Sequence, residues 1–239
     1  MSVDAEHRRR ICKLIRAEFP ATQFVITTHD RVWASQMKGQ GLVAGNHMVA
    51  FNGWSVETGP VLDGVGDVWQ RIEEDLAKGD VPSAAARLRR YAEFASRELA
   101  HDLGAKVSFR ADGTYELGEL LPAVLKRYGD LLTTAAKVAK SWDNADGLKR
   151  AADAAGELES LRQAHNIEQW AVNPAVHYNE WATFTVSEFR EVASAFRDLF
   201  SQFQCSRPEC SSWIAVTPRI EPQDLRCACA DVRFNLQKQ

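Results

Sequence analysis

Apolar residues recur at helical spacing along most of this chain, and the places where that rhythm breaks divide it into parts. Ile11, Leu14, Ile15 and Phe19 are spaced for one helix face, with Arg8, Arg9, Arg10, Lys13 and Arg16 around them and Pro20 as the stop. Ser2 and Asp4 are capping residues at its start, and Glu6 adds negative charge to the first turn. The rhythm then changes. Gln23-Phe24-Val25-Ile26-Thr27-Thr28 is rich in β-branched residues and apolar through Ile26, which predicts a strand buried on both faces, as in a parallel sheet. It runs into His29-Asp30, and polar groups at the carboxyl end of such a strand sit where open α/β sheets bind ligands. A short helix is predicted over 32–38, and a hairpin in which Leu42-Val43-Ala44 and Met48-Val49-Ala50-Phe51 flank the turn Gly45-Asn46.

From residue 66 to 204 the helical period dominates. Asp67 and Gln70 form a capping box ahead of Val68, Ile72 and Leu76, with Gly79 beyond. Pro82-Ser83 opens a long helix with Leu88, Tyr91, Ala92, Ala95 and Leu99 on one face and Gly104 at its end; 106–109 reads as a short strand turned by Asp112-Gly113. Further helices are predicted over 117–141, with Leu121, Leu125, Tyr128 and Leu132 buried, and over 146–166. Thr185-Val186-Ser187-Glu188 begins the last, whose Phe189, Val192, Phe196, Leu199 and Phe200 make a strong apolar face. Four or five such helices pack most naturally as a bundle.

The tail changes the chemistry. Cys205 and Cys210 form one pair and Cys227 and Cys229 another, 16 residues apart, beside strand-like stretches at 211–217 and 232–234. Four of the five cysteines lie in the last 35 residues. That clustering points to a zinc-ribbon-type site, in which four thiolates complete a tetrahedral ion and hold together a segment with little core of its own. Cys12 stands alone on the first helix and reads as a core residue. Arg207, Arg219, Arg226, Arg233 and Lys238 give the tail some basic character, suited to nucleic acid or to plain solvation. Composition adds little direction: 239 residues, 45% hydrophobic, 26% charged and a net charge of -3 describe an ordinary globular chain with no global drive toward nucleic acid or anionic membrane. No apolar run reaches membrane-spanning length and the charged N-terminus lacks a secretory core, so a cytoplasmic protein is expected.

The order Ser2-Val3-Asp4, helix, strand, Thr27-Thr28-His29-Asp30 resembles the end of an ABC-type ATPase domain of the SMC, Rad50 and RecF kind, where a D-loop is followed by the H-loop. The resemblance covers about the first 60 residues. It implies that Ser2 and Asp4 belong to a D-loop and that His29 is the switch histidine, all three near bound ATP and Mg, with His29 and Asp4 in the catalytic machinery. A histidine in that place donates a hydrogen bond to a phosphoryl oxygen and positions the attacking water. The chain has no G-x-x-x-x-G-K-[ST] loop, no Walker B run and no L-S-G-G signature. The expectation is therefore a C-terminal portion that works only with a missing N-terminal ATPase half or in the full-length protein, as an ATPase dimer, with Met1 as an internal start or the other half on a separate polypeptide.

Residues 170–181 interrupt the helical region with Asn173, Pro174, His177 and several aromatics, an arrangement that resembles the late helix of HEPN ribonuclease domains. The arginine of that motif has no counterpart, since Ala171, Val172 and Asn173 stand where it would fall. Asn173 and His177 are thus candidates for a degenerate RNase site, or structural groups. The expected architecture is an α/β remnant of an ABC-type ATPase head (1–65), a mainly α-helical bundle (66–204) and a small metal-stabilised β ribbon (205–239). The expected role lies in DNA maintenance or antiphage defence. The alternatives are a non-catalytic module binding a partner or nucleic acid with structural zinc, and a degenerate HEPN-like RNase.

Overall fold

The computed structural model describes residues 5–44, 47–57, 59–63, 68–108, 115–165, 184–217 and 223–238. Among these the chain is mainly helical. In order it forms α1 (Ala5–Glu18), α2 (Arg31–Gly39), β1 (Ala50–Ser55), β2 (Gly59–Asp63), α3 (Val68–Ala77), α4 (Val81–Leu103), α5 (Leu117–Ser141), α6 (Ala145–His165), α7 (Val186–Ser201), β3 (Ala215–Val216), β4 (Asp224–Arg226) and β5 (Arg233–Asn235). Internal contacts group it into two compact units. One holds residues 1–65, 204–213 and 227–231, and the other 66–203, 214–226 and 232–239. The cysteine turns of the tail thus fall in the first unit and its three strands in the second.

The second unit follows from its helix signals. Asp80 caps α4 by accepting from the Ser83 N–H at 3.0 Å, and Gly104, at φ 68°, ends it. Thr185 and Glu188 exchange hydrogen bonds as a capping box at the start of α7. Each of α3 to α6 packs on the next, and α7 closes the bundle against α3, α4 and α6. The predicted faces are the buried ones: Leu88, Ala92, Ala95 and Leu99 of α4, Leu121, Leu125, Tyr128 and Leu132 of α5, and Phe189, Val192, Phe196, Leu199 and Phe200 of α7. Aromatic rings stitch the seams, with Tyr91 edge-on to both Trp69 and Phe200 at 5.1 and 5.4 Å. Strands β3, β4 and β5 form a small antiparallel sheet in that order, packed through β3 on α4 and through β5 on α5. The middle strand β4 has no counterpart in the sequence reading. Residues 106–108 are not in a strand, and 109 lies outside the described residues.

In the first unit two expectations fail. Residues 22–28 form no strand; Val25 is 89% exposed, and the half-exposed Phe24 stands edge-on to Phe19 at 6.0 Å between ring centroids. β-branched residues favour a strand only when a neighbouring strand and a covering layer take up their groups, and the described residues supply neither. The parallel α/β sheet of the expectation is therefore not found among them. The hairpin is also displaced. Residues 42–44 are not a strand but the end of a Schellman cap on α2, in which Leu42 N–H donates to Met37 C=O and Gly41 N–H to Lys38 C=O, with Gly41 at φ 67°. The hairpin is β1–β2 instead, closed through Gly59 at φ 68°.

Candidate metal centre

The four tail cysteines converge. Their sulfurs lie within 4.8 Å of one another, with Cys227 and Cys229 at 3.5 Å and Cys205 and Cys229 at 3.7 Å. A tetrahedral zinc with Zn–S bonds of about 2.3 Å needs sulfurs about 3.8 Å apart, so the cluster has the size of a four-thiolate site. All four are free thiols; Cys205, Cys210 and Cys227 are buried and Cys229 is exposed. Donor set, spacing and burial together fit a structural metal ion held by Cys205, Cys210, Cys227 and Cys229.

The two halves of the site are built alike. Each cysteine pair is followed by a non-glycine residue in the left-handed region, Ser211 at φ 47° after Cys210 and Ala230 at φ 60° after Cys229. Such a conformation costs an L-residue about 1–2 kcal/mol, and its recurrence after both pairs marks two turns bent around a common point. Backbone bonds close them: Cys210 and Ser211 N–H both donate to Arg207 C=O, and Ala230 N–H donates to Cys227 C=O. Arg207 also pairs with Asp231 at 2.9 Å, joining one turn to the other. Ser212 lies between them. Its Oγ accepts the Ala228 N–H at 2.8 Å, which leaves its own proton to donate to Cys210 Sγ at 3.1 Å.

These contacts set the charge of the cluster. Burial pushes the Cys205 thiol up to about 12 and raises Cys229 as well. Burial also acts against ionisation of Cys210, but the Ser212 hydroxyl and N–H and the Cys229 N–H outweigh it and bring that thiol down to about 6. A divalent cation held by the four sulfurs would supply the opposite charge that lets their remaining protons leave.

The metal turns are seated on the end of α2. Trp213 N–H donates to Gly39 C=O at 3.1 Å, and a Cβ at Gly39 would meet the Trp213 ring at 3.3 Å. At Gly41 a Cβ would lie 2.6 Å from the Ala228 Cβ and 3.2 Å from that of Ser212. Arg16 of α1 donates to Gln40 C=O at 3.1 Å and to Ala228 C=O at 3.3 Å. Sequence reasoning found the thiols but missed Ser212, Trp213, Gly39, Gly41 and Arg16. The signals were the small-residue run Gly39-Gln40-Gly41 and the Ser211-Ser212 pair beside a cysteine.

The other candidate residues stand apart from this centre. His29 is exposed in a turn held on both sides: Asp30 N–H donates to Thr28 Oγ1 at 3.0 Å, and the Asp30 carboxylate accepts the Trp33 N–H and pairs with Arg8 at 2.6 Å. The Trp33 N–H, and after it Arg8, hold the Asp30 carboxyl below the usual range. Asp30 is thus the N-cap of α2. Ser2, Asp4, Asn173 and His177 lie outside the described residues. No described helix is long and apolar enough to cross a membrane. Compared with known proteins, the chain matches no family model, no curated protein and no solved structure.

Proposed function

We propose that this chain is the C-terminal portion of an ABC-type ATPase of the SMC, Rad50 and RecF kind, serving DNA maintenance or antiphage defence, and that its cysteine tetrad holds a structural zinc. The observation that carries the reading is the surface of residues 22–28. An apolar, β-branched segment lies outside any strand with Val25 89% exposed, and it ends in an ordered Thr28-His29-Asp30 turn. A strand deprived of the rest of its sheet has this character, because its apolar side chains have no covering layer and its backbone groups no ladder. In the complete ATPase the sheet of the other half would take up residues 22–28. His29 at the strand's carboxyl end would then donate to a phosphoryl oxygen, with Ser2 and Asp4 contributing the D-loop. ATP and Mg would be held mainly by that other half, since no phosphate-cradling loop is present in this sequence. The chain alone is expected not to hydrolyse ATP.

The test is an ATPase assay on the complex with the polypeptide carrying the Walker motifs, or on the full-length protein, using His29→Ala. Losing a hydrogen bond to a charged group costs about 1.5–3 kcal/mol, so the rate should fall roughly 10- to 150-fold. An unchanged rate removes the switch role.

A second reading, a partner-binding module without nucleotide chemistry, is favoured by the hairpin. The register shift between Phe51 and Gly53 brings Phe51 and Trp54 to the same side of β1. Both are exposed, at 59% and 69%. A lone two-stranded hairpin is marginal in water, and an aromatic face on it suits a protein partner. If no ATPase half exists and His29→Ala is silent, this reading replaces the first.

A further inference from the structure

The first unit has very little core of its own. Among its described residues the buried apolar groups of α1 and α2 are Cys12 and Met37, and Arg9 and Gln36 are buried beside them. The two metal turns are poorer still: their buried side chains are Cys205, Cys210, Cys227 and Ser212. Among the described residues these turns bury few apolar side chains, so an ion held by the four thiols would add the strongest tie to the hydrogen bonds and the Arg207–Asp231 pair that close them. The same turns make a set of contacts with the helices. Trp213 N–H bonds to Gly39 C=O with the indole lying against Gly39, Ala228 and Ser212 fit against Gly41, and Arg16 reaches from α1 to Gln40 C=O and Ala228 C=O. Gly41 ends α2 in a left-handed conformation that a side chain would disturb, and the missing Cβ is what lets the Cys227–Asp231 turn approach.

From this we infer that the metal centre is a clamp for the α1–α2 pair: occupation of Cys205, Cys210, Cys227 and Cys229 fixes the far end of α2 and so the helix that carries the His29 turn. The inference rests on the reading of the tetrad as a zinc centre and is independent of the ATPase reading. Its chemical logic is direct. Without the ion, the four sulfurs lose the bonds that would tie one turn to the other. The turns open, and the docking contacts on Gly39, Gln40 and Gly41 go with them. Loss of metal then reaches the opposite end of α2, where Asp30 pairs with Arg8 and accepts from Trp33 N–H to hold the turn on which His29 stands. The device makes presentation of His29 metal-dependent without any ligand of the metal lying near it in sequence.

The experiment is amide hydrogen exchange on the full chain, zinc-loaded and after removal of zinc by chelator under reducing conditions, with zinc content measured on the same samples. Zinc removal should speed exchange of the amides of α2 and of residues 40–44 at least tenfold, with α4 and α5 unchanged as the internal control. Trp213→Ala separates docking from ligation, because it leaves all four thiols in place. It should keep about one zinc per chain and still speed exchange in α2. Equal α2 protection with and without zinc, in protein shown to bind it, overturns the clamp while leaving the zinc centre standing. A zinc-loaded Trp213→Ala protein with unaltered α2 exchange overturns it as well. Failure of the wild-type chain to bind zinc removes both the clamp and the zinc reading.

Discussion

Gly41→Ala isolates the fit between the metal turns and α2, because three other glycines share its backbone conformation but not its surroundings. Gly41, Gly59, Gly79 and Gly104 have φ between 67° and 74°. At Gly59, Gly79 and Gly104 an added Cβ would meet nothing within 4 Å, whereas at Gly41 it would lie 2.6 Å from the Ala228 Cβ and 3.2 Å from Ser212 Cβ and an Arg16 nitrogen. Alanine in the left-handed region costs about 1–2 kcal/mol, of which about 0.4–1 is recovered from the stiffer unfolded chain. Gly104→Ala should therefore cost about 1 kcal/mol. Gly41→Ala carries the same backbone cost plus overpacking of about 1–3 kcal/mol, because the neighbouring methyl is anchored on a closed turn rather than on a flexible arm. The total is about 2–4 kcal/mol. Equilibrium urea unfolding of zinc-loaded protein, with amide exchange to assign each transition to its unit, measures the Gly41→Ala, Gly59→Ala and Gly104→Ala variants. If Gly41→Ala costs no more than Gly59→Ala in the same unit, the close approach of the turn to α2 is not a feature of the folded protein.

Three further outcomes follow from the geometry. Ala230→Gly relieves left-handed strain next to the metal and should tighten zinc retention or stabilise the first unit by a few tenths to about 1 kcal/mol; a competition titration against a chromophoric chelator reads it, and a clearly weaker site contradicts the strained-turn account. Asp30 has its folded pKa depressed, so what it contributes to α2 is complete above the unfolded value near 4 and is lost as pH falls through the lower folded value. Asp30→Asn keeps an acceptor for Trp33 N–H but has no proton to gain. The acid-dependent loss of protection at the start of α2 should disappear in it, and its persistence would assign the effect to another group. Phe196 is fully buried on α7 and stacked on Phe200, so Phe196→Ala should destabilise the helical unit by about 3–5 kcal/mol and lower its thermal midpoint by roughly 10 °C; calorimetry showing a shift under 2 °C would mean that α7 is not part of the core.

How much could be read from residues alone depended on how local the cause was. Helix ends are decided by capping groups three or four residues away, which is why Gly104, Thr185 and Glu188 mark ends that the fold respects. Buried helix faces are decided by a period that the sequence displays, and α4, α5 and α7 bury the predicted faces. The four clustered thiols were legible for the same reason, since thiols of this density in a short tail point to a shared site. Strands were legible only in part: the stretches read at 211–217 and 232–234 hold β3 and β5, but other strand signals misled. Val25 and its neighbours have the composition of a buried strand but no described strand beside them, and the three-residue strand β4 has almost no composition to read.

The sequence by itself determined the helical bundle and the identity of the candidate metal-binding cysteines, because both follow from residue type and short-range spacing. Only the tertiary structure decided where the cysteine turns go. Their partners are Gly39 and Gly41, separated from Cys205 by more than 160 residues of chain, and the contact is made by backbone carbonyls and by the absence of side chains. Neither leaves a periodic or compositional trace. The physical reason is that a hydrogen bond to a main-chain carbonyl is available at every residue, so its selection depends on which segments the rest of the fold brings within 3 Å of each other.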